Sequence, residues 1–354
     1  MSQPGHAVPP SPLPVDSEGI WEATARLPEQ IADAARAVAD IGPLPGAAGV
    51  RHVAVAGMGG SGVAGDVLAA YAAPRSPLAV TVLKSYDLPR SVGPGTLLFI
   101  VSYSGSTEET LSLAAAAHEA AATVVALSAG GPLAELARAH DWLHVPLPAS
   151  LPQPRTALGA TTVPPLLLLE RLGILENASR DVAAAVTQLL GRRDQLFSPS
   201  GPAALVARRI GRTFPLLHGA DGLGAVAATR WKTQINENAK SPAFVGVEPE
   251  LCHNELAGWG QDGDVTRQVL TLIQLRMAHE HPQIERRQDL VAEILLEVMA
   301  EVIEVRGEGE GDLAQFFDLA YFGDVTSLFL AGAESLDPGP IPTLVEVKEA
   351  LRQA

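Results

Sequence analysis

The chain of 354 residues holds a single cysteine, Cys252, which excludes a disulfide framework and any cysteine-cluster zinc site. Basic residues are scarce. Only 25 Lys and Arg stand against 40 Asp and Glu, a formal charge of −15. Neutralising nucleic-acid phosphates needs a net basic face, so no nucleic-acid partner is expected. No uninterrupted apolar run reaches the roughly 18 residues of a membrane span, and Met1–Asp16 lacks the basic and apolar regions of a secretory signal. What is present is a 47% hydrophobic, 18% charged composition, enough apolar material for full cores. The length suggests about two domains of roughly 100–200 residues each. The expectation is an acidic, cytoplasmic protein without a membrane partner.

Five prolines between Met1 and Val15 predict an extended, disordered tail over residues 1–15. Ile20, Leu27, Ile31, Ala35 and Val38 recur at helical spacing and predict one lead-in helix over 16–41. Then comes an alternation of short apolar runs with helical stretches. Strands are expected at His52–Ala56, Leu78–Leu83, Thr96–Ser102, Ala122–Ser128 and Trp142–Leu147, with helices at Val63–Ala73, Thr107–Ala120 and Leu133–Ala139. Continuously apolar strands are covered on both faces, which means a parallel, doubly wound α/β unit, here over 42–150. Residues 151–200, with Pro152, Pro154, Pro164 and Pro165, read as a helical connector. A second α/β unit is expected over 201–354, with strands at Phe214–His218, Val269–Leu275 and Ile303–Val305. Its helices are expected at Leu223–Asn236, Gln283–Val302, Gly311–Ala333 and Leu344–Gln353.

Two strand-to-helix loops carry chemistry. Gly57-Met-Gly-Gly-Ser-Gly62 follows the first strand, where glycines let the backbone approach a ligand and the helix N-terminus offers free N–H groups to an anion. Ser102-Tyr-Ser-Gly-Ser-Thr107 follows the third strand and opens into Glu108-Glu109. One hydroxyl could serve as a helix cap, but three around a glycine suit a phosphate monoester, whose oxygens all accept. Both loops leave the same carboxyl edge of an open sheet, where ligands bind. Further on, Glu237 ends a predicted helix and His253 lies 16 positions later (253 − 237). A carboxylate and an imidazole in one pocket form a base and a proton shuttle.

Taken together, Gly57–Asp66 (GMGGSGVAGD), Ser102–Thr110 (SYSGSTEET), Pro154-Arg155-Thr156-Ala157-Leu158, Asn236–Lys240 (NENAK) and His253-Asn254-Glu255 resemble the bifunctional phosphoglucose/phosphomannose isomerases of the sugar-isomerase (SIS) superfamily. The resemblance runs in order from about residue 18 to the C-terminus. It implies two SIS subdomains, each a parallel sheet flanked by helices, in a homodimer with active sites at the subunit interface. Carried over by position, Gly60, Ser61, Ser102, Ser104 and Thr107 would hold the substrate phosphate. Glu237 would move a proton between C1 and C2, and His253, from the partner subunit, would assist ring opening. Arg155 would stabilise the enediolate, and Lys348 resembles a C-terminal ring-opening lysine. The implied reaction interconverts fructose 6-phosphate with glucose 6-phosphate and mannose 6-phosphate, with no cofactor and no metal.

Two other classes compete. A SIS-type module could bind a phosphosugar and regulate without catalysis, but it would need only the phosphate loops and not Glu237, Arg155 and His253. A dinucleotide-dependent oxidoreductase would fit G-x-G-x-x-G at Gly57, Gly59 and Gly62, yet Val80–Lys84 ends without the acidic residue that holds ribose. His279-Glu-His281 and His140–His144 lack further ligands at zinc-site spacing and read as surface histidines. Cys252 reads as a buried structural thiol, and Glu301–Asp312 as a solvated strand end and loop. Asn177-Ala-Ser179 matches a glycosylation acceptor without a secretion signal.

Overall fold

The computed structural model describes residues 8–353, so residues 1–7 of the proline-rich tail lie outside it. From Val8 the chain is extended and held in place. The Trp21 Nε1 donates to the Pro9 carbonyl at 2.8 Å, and Leu13 lies against the Gly332 backbone. Both carboxylate oxygens of Asp16 accept backbone N–H bonds, from Ile20 and Trp21, which starts helix α1 (Ile20–Ala25). Helix α2 (Leu27–Ala39) follows after one residue. The single expected helix is therefore two, because Pro28 lacks an N–H and fits only the first turn of a new helix.

The first sheet alternates β1 (His52–Gly57), α3 (Gly59–Ala72), β2 (Val80–Leu83), β3 (Thr96–Val101), α4 (Glu108–Glu119), β4 (Thr123–Ser128), α5 (Gly131–Ala139) and β5 (Leu143–Pro146). All pairings are parallel, in the order β2-β1-β3-β4-β5. Every residue of β3 is buried, as continuous apolarity demands of a strand covered on both faces. Helices α6 (Leu158–Arg171) and α7 (Ala178–Leu196) form the connector, and α8 (Pro202–Ile210) leads into the second unit. Residues Leu158–Leu169 of α6 are all buried, Pro164 and Pro165 among them, so this helix belongs to the core.

The second unit runs β6 (Phe214–Ala220), α9 (Leu223–Asn238), β7 (Phe244–Glu248), α10 (Gly263–Val269), β8 (Leu270–Arg276), α11 (Pro282–Leu295), β9 (Glu301–Arg306), α12 (Asp312–Ala333) and α13 (Pro342–Gln353). Its sheet is again parallel, in the order β7-β6-β8-β9. Two sequence expectations change here. The segment 243–247, read only as an apolar link, is edge strand β7. The helix expected to reach Val302 stops at Leu295, and β9 begins at Glu301, paired with Thr271. Edge strand β9 contains the expected Ile303–Val305 and exposes Glu304 and Arg306; only its first two residues fall within the expected helix. Cys252 is only partly buried.

Helix α12 is long and apolar enough to cross a bilayer by length and composition, but 83% of its most apolar window is buried inside the fold. It is the central core helix, packed on α7, α8 and α9. One continuous cluster joins α1, α2, α3, α6, α7, α9 and α12, so the two sheets share a core. Trp231 of α9 lies flat against α12 and donates Nε1–H to the Leu319 carbonyl at 2.7 Å. Gly323 makes this approach possible, since a Cβ there would meet the indole at 2.4 Å. Gly323→Ala should therefore destabilise the protein by about 1–3 kcal/mol through overpacking, read as a lower midpoint in urea unfolding. An unchanged midpoint would mean that the two helices slide apart without cost.

Candidate active site

The site begins where β1 and β3 end side by side, Gly57 being paired with Val101. Helix α3 starts at Gly59; no side chain caps its first turn, and the Ser61 and Gly62 N–H groups bond the Met58 carbonyl. The Ser61 hydroxyl accepts from the Tyr103 N–H at 3.0 Å, which ties this turn to the next loop. There Ser102 donates its hydroxyl to Thr107 Oγ1 at 2.9 Å, leaving the Thr107 proton free for a ligand. Thr107 stands at the N-cap of α4 but its side chain makes no capping bond. The cap explanation therefore fails for it. Ser104 is exposed, and its oxygen accepts from the Ser106 N–H and hydroxyl. Gly105 is indispensable to the loop, for its φ is +69° and a Cβ would lie 1.8 Å from the Gly130 carbonyl.

Arg155 lies in the 3-10 turn Pro154–Thr156 and presses on the first loop: a Cβ at Gly60 would come within 2.8 Å of the Pro154–Arg155 peptide. Its side chain is 3% exposed. Nε donates to Asn238 Oδ1 at 2.9 Å, and Nη2 to the carbonyls of Pro338 (2.7 Å) and Gly339 (2.8 Å). Nη1 faces Glu237 Oε2 at 3.4 Å. Burial lowers the Arg155 pKa and the Glu237 charge opposes this; a guanidinium stays protonated regardless. Glu237, in the last turn of α9, keeps 27% of its side chain accessible. A buried cation thus stands beside a carboxylate that a ligand can reach.

The rest of α9 holds this pair in place. Arg230, Gln234 and Asn238 are four residues apart and share a face. Arg230 Nη2 donates to the Arg155 carbonyl (2.9 Å) and to Asp324 Oδ2 (2.6 Å), and Gln234 donates to Asp324 Oδ1 at 3.1 Å. Asn238 also donates to Ser327 Oγ at 2.9 Å. Burial raises the Asp324 pKa, and Arg230 beside it pulls it back down.

Of the other expected residues, Lys348 is brought in. It lines a cavity of about 160 Å³ together with Tyr86, Ser104 and Thr107. His253 is not. It is exposed at the end of the 3-10 turn Glu250–His253, and none of the polar contacts of Glu237, Arg155 or the hydroxyl loop involves it. Two lysines were missed as site residues. Lys84, at the end of β2, places Nζ 2.5 Å from Asp66 Oδ2 beside the first turn of α3. Lys240 donates to the Glu237 carbonyl (2.7 Å) and the Pro338 carbonyl (3.0 Å). A cation just past a helix C-terminus was the available signal for Lys240. Among the described residues no group of three or more His, Cys, Asp or Glu is arranged for a metal, and His281 caps α11 by accepting from the Gln283 N–H.

The equivalent edge of the second sheet differs. There Glu280, after β8, accepts from the Met277 N–H at 3.2 Å close to Gly224 in the first turn of α9. Glu248, fully buried at the end of β7, lies near enough to repel it. Burial, reinforced by Glu248, pushes the Glu280 pKa up from 4.5 to about 7.

Comparison with known proteins sets this geometry in a family. Residues 200–351 match the bacterial phospho-glucose isomerase C-terminal SIS domain, and residues 48–152 match the SIS domain. A protein of Caldicellulosiruptor bescii called bifunctional phosphoglucose/phosphomannose isomerase is 32% identical, covering 94% of this chain and 99% of the relative. A Sulfolobus acidocaldarius protein called D-glucosamine-6-phosphate 4-epimerase is 31% identical, over 60% of this chain and 65% of its own length. The crystal structure of a glucose-6-phosphate isomerase like protein from Thermus thermophilus aligns with a TM-score of 0.60 at 22% identity, covering 95% of this chain and 96% of that one. This last likeness concerns the fold alone.

Two outcomes follow from the geometry. Gly60→Ala should push the α3 turn away from the Arg155 peptide and lower kcat/KM by about 100-fold, the scale set by a displacement of roughly 1 Å, with a normal circular dichroism spectrum; undiminished activity would detach that turn from the site. For Glu280 the folded-state pKa lies above the unfolded value, so the folded protein holds the proton more tightly. Stability should then rise as pH falls from about 7 towards 4.5. Glu280→Gln should flatten that slope in denaturant unfolding at pH 5 and pH 8, and an identical slope would contradict the assignment.

Proposed function

The chain belongs to the bifunctional phosphoglucose/phosphomannose isomerase family, and from that premise we propose that it interconverts fructose 6-phosphate with glucose 6-phosphate and mannose 6-phosphate. The phosphate sits between the first turn of α3, Gly60 and Ser61, and the hydroxyls of Ser102, Ser104 and Thr107. The Gly60 N–H and the hydroxyl protons of Ser61 and Thr107 suit its acceptor oxygens, and Ser102 orients Thr107 by donating to it. With the sugar's anionic end held there, the carbonyl end lies towards Glu237 and Arg155. In the open-chain ketose Glu237 removes a proton from C1, giving a cis-enediolate. The negative oxygen on C2 faces Arg155 Nη1, the guanidinium nitrogen least occupied by the protein. Glu237 then returns the proton to C2 while the O1 proton passes to O2. A ring opener must come first. Lys348, beside Ser104 and Thr107, supplies one candidate, and His253 of a second subunit in a homodimer supplies the other. These residues fill every role without a metal or cofactor. The acidic composition suits a cytoplasmic enzyme.

The observation that carries this reading is the 3.4 Å approach of Glu237 to a buried Arg155 whose own peptide supports the Gly60 turn. One contact chain links the anion-binding turn to the base. Either C2 face becomes a proton acceptor if the intermediate rotates, which accounts for two epimeric aldoses.

A coupled assay with fructose 6-phosphate, mannose 6-phosphate and glucosamine 6-phosphate, each with and without a chelator, tests the reaction. Turnover of the first two, insensitive to chelator, is expected, and conversion of glucosamine 6-phosphate alone would redirect the substrate. Glu237→Gln should retain binding and lose about 10²–10⁴-fold in kcat; near-normal turnover would reject Glu237 as the base.

A further inference from the structure

Helix α13 has little packing of its own. Every residue from Pro342 to Leu351 is exposed, with Leu344 at 49% and Val347 at 54%. Its Lys348 nevertheless shares a cavity with Ser104 and Thr107. The helix is therefore placed by the turn that precedes it, Asp337-Pro338-Gly339. Asp337 Oδ1 accepts from the Gly339 N–H at 3.0 Å and the Ser17 N–H at 3.3 Å. Arg155 Nη2 donates to the carbonyls of Pro338 and Gly339. Lys240 adds the third hold, with Nζ shared between the Pro338 carbonyl at 3.0 Å and the Glu237 carbonyl at 2.7 Å.

We propose that Lys240 is a positioning residue of this isomerase: by joining the Glu237 carbonyl to the Pro338 carbonyl, it fixes the C-terminal helix where Lys348 meets the hydroxyl loop. The inference rests on the proposed function for the role of Lys348, and on geometry alone for the hold itself. Lys240 ends α9 in a left-handed conformation, φ +54°, so the residue that terminates the base helix also fastens the linker. Burial and the neighbouring Arg155 both lower the Lys240 pKa, while Asp337 and Glu237 oppose them. Two cations converge on one carbonyl oxygen. Such an arrangement is unfavourable unless the turn is worth holding, and the adjacent carboxylates offset it.

Lys240→Met keeps the aliphatic stem and removes the three donors. In the unliganded protein, hydrogen exchange of residues 342–353 should speed up by about 10-fold or more, while thermal unfolding of the core stays in place. With fructose 6-phosphate, kcat/KM should fall by about 10- to 100-fold, the scale of a lost charged hydrogen bond. That loss should vanish in the Lys348→Met background, because Lys240 acts through Lys348. Lys240→Arg should restore slow exchange. Unchanged exchange in Lys240→Met, or losses that multiply in the double variant, would overturn the proposal. If Lys348→Met alone leaves turnover intact, the ring-opening role of that lysine falls, and the exchange measurement still decides the hold. Asp337→Ala removes the opposite side of the turn from a half-buried position and should reproduce the faster exchange; slow exchange there would also count against it.

Discussion

A single buried guanidinium organises the candidate active site. Arg155 spends Nε on Asn238, Nη2 on two carbonyls of the 337–339 turn and Nη1 on Glu237. Those partners come from α9 and from the linker to α13, two segments far apart in sequence. A planar fork with fixed donor directions is what allows one side chain to hold such segments in register. A lysine, a point charge on a flexible stem, could satisfy any one of these partners but not all of them.

The cost of burying that cation explains the polar layer behind it. An unpaired charge in the core is unfavourable by several kcal/mol, so its neighbours are themselves anchored. Asn238 donates on to Ser327, and Arg230 links the Arg155 carbonyl to a fully buried Asp324. The acceptors stand on α12, which is buried along most of its length. Core and site are thus one construction. The helix that closes the hydrophobic centre also carries the carboxylate and the hydroxyl that orient the site's arginine through its neighbours.

Much of this was legible in the sequence where local rules act. The parallel strands announced themselves by continuous apolarity, and both ligand loops by glycine and hydroxyl residues between a strand and a helix. Glu237 and Arg155 were reached through motif resemblance, and their proximity could not be read from spacing, since 82 positions separate them. Less legible was everything decided by tertiary contact. Strand β7 is short and its first residue, Phe244, is 50% exposed, so nothing in its pattern distinguishes it from a link. Lys240 reads as an ordinary solvated helix end until the 337–339 turn, about a hundred residues later, is laid over it. His253 is the opposite case: its motif is clear, it was expected to act from a partner subunit, and in the single chain it is exposed.

The two sheets share an architecture but not a chemistry, and electrostatics accounts for the division. A helix N-terminus at the carboxyl edge of a parallel sheet attracts an anion wherever it occurs. In the first sheet that place is lined by glycines and hydroxyls, with Lys84 beside the glycine turn and Lys348 beside the hydroxyl loop. In the second, the Glu280 carboxylate already stands beside the first turn of α9, with Glu248 buried nearby. A phosphate entering there would meet a carboxyl that holds its proton up to about pH 7 and repels an anion once ionised. On the proposed function the second lobe contributes instead from the C-terminal end of α9, where Glu237 emerges. The first lobe then grips the phosphosugar and the second supplies the base, a division that matches where the sequence places hydroxyls and where it places carboxylates.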